Sequence, residues 1–186
     1  LFHAVGRLDV DVFNIVHEAL QDFPCPLYLV DGNHDLIDRQ TPLWFHRSFE
    51  KLIDGEKIQA CPTVRQVCEE GLEIQGLRVA GLGWSERLED VRAMLKSRPL
   101  NLLVAHKEPI GSRYGKFIFQ EGVDWKELEK FSQVVLFGHI HEHQRLSETT
   151  WVVGSPMSHN FGDVGEHGCV IVDLDIMQRP VLRFVS

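Results

Sequence analysis

Three short segments of this 186-residue chain carry side chains able to act together on one ligand. They are Asp31-Gly32-Asn33-His34-Asp35, the single His106, and Gly138-His139-Ile140-His141. Each directly follows an apolar run, respectively Leu27-Tyr28-Leu29-Val30, Leu102-Leu103-Val104-Ala105 and Val134-Val135-Leu136-Phe137. Runs of that length read as strands buried on both faces, as in parallel sheets. In an open α/β sheet ligands bind beyond the carboxyl ends of the strands, so the three segments are expected to converge on one crevice. Imidazole nitrogens and a carboxamide oxygen suit borderline divalent cations such as Mn, Fe or Zn, and an Asp supplies a harder, anionic donor. Taken singly, an Asn-His or a His-x-His at a strand end reads as a hydrogen-bonded structural feature. Three independent strand-end placements in this order point instead to a metal-assisted site. Alternate residues of an extended segment face the same way, which predicts His139 and His141 on one cavity wall with Ile140 turned to the core.

Other elements must position these segments. A helix is predicted from the N-cap Asp9, with Val12, Phe13, Val16, Ala19, Leu20 and Phe23 at helical spacing until Pro24 stops it, and with that face packed on a sheet. Further helices are predicted around 43–53, 86–96 and 124–131, and a hairpin-like pair around 72–82. Residues 150–153, 169–174 and 181–185 read as strands with Gly-rich connections, which predicts a second sheet with antiparallel pairing. The expected architecture is a mixed two-sheet sandwich with outer helices. No internal repeat, low-complexity segment or linker interrupts it, so 1–186 reads as a single domain.

A content of 44% apolar and 25% charged residues is that of an ordinary globular protein. The net charge of −8 argues against a surface that grips nucleic acid mainly by its own positive charge. Bound cations add charge that a residue count omits, so a polyanionic substrate stays open. Cys25, Cys61, Cys68 and Cys169 have no C-x-x-C spacing. They are expected to be four buried thiols rather than a disulfide framework or a zinc ribbon. No apolar run approaches the ~18 residues of a membrane span, which makes the cytoplasm the default compartment.

Gly32-Asn33-His34-Asp35 and Gly138-His139-Ile140-His141, with His106 between them, resemble the calcineurin-like metallophosphoesterase superfamily in order and spacing over almost the whole chain. The resemblance implies a four-layer α/β/β/α sandwich of two mixed sheets and a phosphoester hydrolase with two divalent metal ions. Asn33, His106 and His139 would bind one metal, and His141 would help bind the other. His34 would serve the leaving group or a phosphoryl oxygen, with Asp35 orienting it or, as the plainer reading, capping the turn after Gly32. In that superfamily an Asp-x-His and a Gly-Asp-x-x-[Asp/His] precede these motifs, and neither is complete here. Leu1-Phe2-His3 looks like the tail of a G-D-L-F-H segment, so the domain is expected to be incomplete at its N-terminus and to lack its first strand or strands.

Leu1-Phe2-His3 and the stretch from Gly154-Ser155-Pro156 to Asp163 look like the nuclease subunit of the SbcCD-type recombination nucleases, phage forms especially. That likeness implies a DNA phosphodiester substrate, an SbcC-type ATPase partner, Mn before Fe, Zn or Mg, and the cytoplasm of a bacterial or phage-infected cell. It also brings His3 near the metals and makes His159 a candidate substrate contact. Lys107, Arg113 and Lys116 follow His106 as candidate phosphate contacts or, alternatively, as a solvated basic loop. The competing functions are a phosphomonoesterase or a protein or small-molecule phosphatase of the same superfamily, and an inactive scaffold that holds a partner.

Overall fold

The computed structural model describes residues 10–35, 58–158, 165–174 and 179–186. The predicted helix over 43–53, the cap Asp9, and His3 and His159 lie outside them. In chain order the elements are α1 (Val10–Gln21), β1 (Leu27–Leu29), β2 (Ile58–Ala60), a π-helical turn (Gln66–Glu70), β3 (Val79–Leu82), α2 (Leu88–Ser97), β4 (Leu100–Ala105), β5 (Arg113–Tyr114), β6 (Phe117–Ile118), α3 (Trp125–Leu128), β7 (Ser132–Phe137), β8 (Gln144–Arg145), β9 (Thr150–Val152), β10 (Cys169–Asp173) and β11 (Val181–Val185).

The fold is α/β, built on a five-stranded sheet in the order β3-β4-β7-β9-β8. Its first four strands run parallel and β8 returns antiparallel to β9. A parallel pair β1-β2 extends toward this sheet through a bridge from Thr63 to Gly81. Successive residues of a strand face opposite sides, and both faces of the sheet are used. Leu103, Ala105, Val135 and Phe137 pack with Leu88, Val91 and Leu95 of α2 and Leu128 of α3. On the other face Val134, Leu136 and Trp151 meet Val170, Val172, Leu182 and Phe184 of the β10-β11 hairpin. Helices, sheet and hairpin therefore stack in that order.

Local chemistry explains the helices. α2 buries residues at i, i+3 and i+7, carries Glu89 and Asp90 in its first turn and Lys96 in its last, and so complements the helix dipole. α3 is short and starts where the Asp124 carboxylate accepts from Lys126 N at 3.0 Å.

Several expectations are corrected. The 72–82 region is not a hairpin of two strands: Ile74 and Leu77 close a tight antiparallel bridge, while Val79–Leu82 is a parallel strand beside β4. Thr150–Val152 joins the main sheet rather than a second one, because its buried Trp151 and Val152 pair alongside β7. β1 is half-buried rather than buried on both faces as predicted. Of the predicted apolar stripe, Val12 and Phe23 are 45% and 42% exposed, Ala19 is exposed, and Val16 and Leu20 are only half-buried, so those described residues are not packed away as predicted.

The cysteines are not four buried thiols. Cys61 is buried, Cys68 is half-buried, and Cys25 and Cys169 are exposed, all four unpaired. Burial, with Glu86 nearby, pushes the Cys61 thiol up to about 12. Cys61 is therefore expected to resist an aromatic disulfide reagent at pH 8 until denaturant is added, while Cys25 and Cys169 react at once. Equal rates for Cys61 and Cys25 in the native protein would overturn this placement.

Candidate active site

The parallel ladder continues one residue past the strand ends, and that residue is where the chemistry begins. His106 N donates to Leu82 O at 3.0 Å, Gly138 N to Ala105 O at 2.8 Å, and Val153 N to Phe137 O at 2.9 Å. Trp84 N donates to Asp31 O at 3.0 Å, which ties the end of β1 to the end of β3. Backbone bonds thus fix the starting points of the reactive segments before any side chain is considered. They border one cleft of about 730 Å³, lined by Asn33, His34, Asp35, His106, His139 and His141 among others.

On one wall three donors converge. His106 Nε2 lies 3.0 Å from Asn33 Oδ1, and His139 Nδ1 lies 3.4 Å from the same oxygen. The two imidazole rings meet edge to face at 5.2 Å, with the Trp84 indole 5.0 Å from His139. The His106 ring fits because its neighbours lack side chains: a Cβ on Gly32 would come within 2.9 Å of His106 Cε1, and one on Gly138 within 3.1 Å of Nδ1. Burial, then the neighbouring His139, pulls His106 down to about 4. Burial also lowers His139, although Glu108 opposes the shift. Both rings are accordingly neutral near pH 7, with a lone pair available for a cation.

His139 reaches this position by a route that strand periodicity did not suggest. Its φ is 78°, a left-handed conformation, so the segment after β7 is not extended and the predicted alternation fails. Ile140 is nevertheless buried in the core at 3% exposure, and His139 and His141 both border the cleft. The turn sets this outcome in place of an extended backbone.

Asp35 is buried, and its Oδ2 accepts from Gly32 N at 2.9 Å while its own N donates back to Gly32 O at 3.1 Å. The carboxylate thereby closes the turn that carries Asn33 and His34. On the far side Gly154, at φ +83°, leaves no room for a side chain, since a Cβ would lie 3.0 Å from His141 O. Ser155 N donates to that carbonyl at 3.0 Å and holds the His141 backbone. Tyr114 stands edge-on to the His141 ring at 6.5 Å.

Lys107 proves to be a tether rather than a solvated loop residue. Its Nζ donates to Trp84 O at 2.6 Å and Glu86 O at 2.7 Å, tethering the loops after β3 and β4. Arg113 and Lys116 are exposed. Sequence reasoning missed Trp84 and Glu108, because neither belongs to a strand-end motif; Glu108 Oε1 lies 3.1 Å from His139 Nε2. Among the described residues no three His, Cys, Asp or Glu side chains form a group able to hold a metal ion. The convergent set instead pairs two imidazoles with a carboxamide, a neutral donor set that fits a borderline divalent cation. Among them also, no helix is long and apolar enough to cross a membrane.

Two comparisons bear on this cleft. Residues 5–143 match the Calcineurin-like phosphoesterase family. The 244L protein of Invertebrate iridescent virus 6, a phosphoesterase by name, is 24% identical over 173 residues, covering 85% of this chain. The chain spans 56% of that viral protein's length. The matched region reaches from ahead of α1 to just past His141 and so takes in the three segments that carry Asn33, His106 and His139 into the cleft, from which it follows that the chain belongs to the calcineurin-like phosphoesterase family.

Proposed function

We propose that the chain is a metal-dependent phosphodiesterase whose substrate is DNA, in the manner of the SbcD-type nucleases. The family supports phosphoester hydrolysis with divalent metals, and the finer reading rests on the cleft. The observation that carries it is the convergence of His106 and His139 on the Asn33 oxygen, beside a wall formed by His34 and His141. Asn33, His106 and His139 would hold one cation, and His141 would contribute to a second. Cations bound there supply Lewis-acid charge to phosphoryl oxygens and activate water for attack. His34 gives a proton to the departing oxygen, and Asp35 keeps the His34 turn closed through Gly32 N.

The hairpin β5-β6 favours a polymeric substrate. Tyr114 and Phe117 are 48% and 61% exposed beside the exposed Arg113 and Lys116, a pairing of flat rings with cations that suits bases and phosphates. The hairpin is held against the ligand-bearing loop. Arg113 N donates to Gln144 Oε1 at 2.7 Å, Gln144 Nε2 donates to Arg113 O at 2.8 Å, and Gly115 N donates to Glu142 Oε2 at 3.1 Å. The partner that this reading implies is an SbcC-type ATPase. The net charge of −8 favours a second reading, a phosphomonoesterase for small substrates.

Supercoiled plasmid and nitrophenyl phosphate, offered to the Mn-loaded protein, separate the two. Plasmid nicking should exceed monoester turnover, and Tyr114→Ala should raise the KM for DNA about tenfold, the worth of one base stack. Faster turnover of the monoester, unchanged in Tyr114→Ala, would move the substrate to small phosphates. A protein that binds Mn and cleaves neither would end the enzymatic reading.

A further inference from the structure

His139 meets a carboxylate on one side and the convergent carboxamide oxygen on the other. Its Nε2 lies 3.1 Å from Glu108 Oε1 and its Nδ1 3.4 Å from Asn33 Oδ1. The left-handed φ of 78° costs a non-glycine residue roughly 1–2 kcal/mol, so side-chain contacts must hold what the backbone disfavours. A carboxylate only accepts hydrogen bonds. The carboxamide oxygen near Nδ1 is an acceptor too, but the Glu108 contact is shorter and to a charged group, which assigns the single ring hydrogen to Nε2 and leaves the Nδ1 lone pair toward the oxygen on which His106 also converges.

Glu108 is itself firmly placed. Its carbonyl accepts from Val123 N at 2.8 Å, Ile110 N donates to Val123 O at 3.0 Å, and Pro109 bridges in parallel to Val123. Gly122 passes so close that a Cβ would sit 2.2 Å from Glu108 O. The Glu108 side chain is 27% exposed and that of His139 21%, so the contact is better shielded from water than a surface pair.

We propose that Glu108 is a positioning residue of the metal centre: by accepting from His139 Nε2 it fixes the ring tautomer and presents Nδ1, together with Asn33 Oδ1 and His106 Nε2, as the donor to a divalent cation. This rests on the reading that Asn33, His106 and His139 bind metal. A ligating imidazole whose second nitrogen is bonded to a carboxylate gains a set orientation and greater basicity, and loss of such a partner costs about 10–100-fold in metal affinity.

Two readouts test it without turnover. Long-range proton–nitrogen correlation spectra of the metal-free protein, with His139 assigned from a His139→Gln variant, should show the Nε2–H tautomer. Glu108→Gln keeps an acceptor oxygen and should preserve that signal, whereas Glu108→Ala should give mixed tautomers. Calorimetric titration with Mn²⁺ should show affinity about 10–100-fold weaker in Glu108→Ala and within a few-fold of the parent in Glu108→Gln. An Nδ1–H tautomer in the parent, or equal Mn²⁺ affinity in parent and Glu108→Ala, overturns the positioning role and leaves the metal site standing. A parent that binds no Mn²⁺ overturns the metal reading and, with it, this proposal's role for Nδ1.

Discussion

Replacing His34 by Ala is expected to cut kcat by about 10²–10⁴ while Mn content stays near that of the parent, because in the proposed reaction His34 serves the departing oxygen and not the cation. Convergence on one oxygen marks the proposed ligands. His106 and His139 both approach Asn33 Oδ1, at 3.0 and 3.4 Å, whereas His34 borders the same cleft on the turn closed by Asp35. His139→Ala should behave in the opposite sense. It removes one of three convergent donors, leaves the Glu108 carboxylate without its imidazole, and should strip the metal along with activity. Metal content after dialysis and kcat, measured on the same preparations, decide the matter. Equal metal loss in the two variants would mean that His34 is a ligand and that the proton must come from elsewhere.

The strand-end groups were legible in the sequence because a parallel sheet leaves little freedom. An apolar run that pairs on both sides must end at the sheet's carboxyl edge, and the next residue is held by the ladder itself, as His106 N on Leu82 O shows. Periodicity failed one step later. Once Gly138 releases the chain from the ladder, His139 turns left-handed, and no alternation rule describes where its ring goes. Glu108 and Lys107 were misjudged or overlooked for a related reason. Both follow His106 in a loop, and loop charges read as solvated until a partner is known; one meets His139, and the other meets the carbonyls of Trp84 and Glu86. Cys25 and Cys169 likewise could not be told from Cys61, since composition ranks a thiol as buried without naming what buries it.

Gly122→Ala is expected to lower stability by about 3–5 kcal/mol, the sum of a backbone clash and a disfavoured conformation. At φ +134° an added Cβ would lie 2.2 Å from Glu108 O, a backbone atom that no side-chain rotation can move away. The two segments would have to separate, which breaks the bond from Val123 N to Glu108 O. For a chain of this length the loss should appear as a fall in Tm of roughly 10 °C or more. Gly111→Ala is the control, in the same β4–α3 connection but on the other side of the β5-β6 hairpin, and also left-handed at φ +84°, with no atom within 4 Å of the new Cβ. It should cost only about 1 kcal/mol of backbone strain. The pair therefore isolates the crossing of Gly122 over Glu108 from the general intolerance of left-handed positions. Because that crossing also holds Glu108 under His139, Gly122→Ala should weaken Mn binding even at temperatures where the protein remains folded, and Gly111→Ala should not. Matching Tm values for the two variants would show that the Gly122 segment does not press on Glu108, and would remove the support on which the placement of His139 depends.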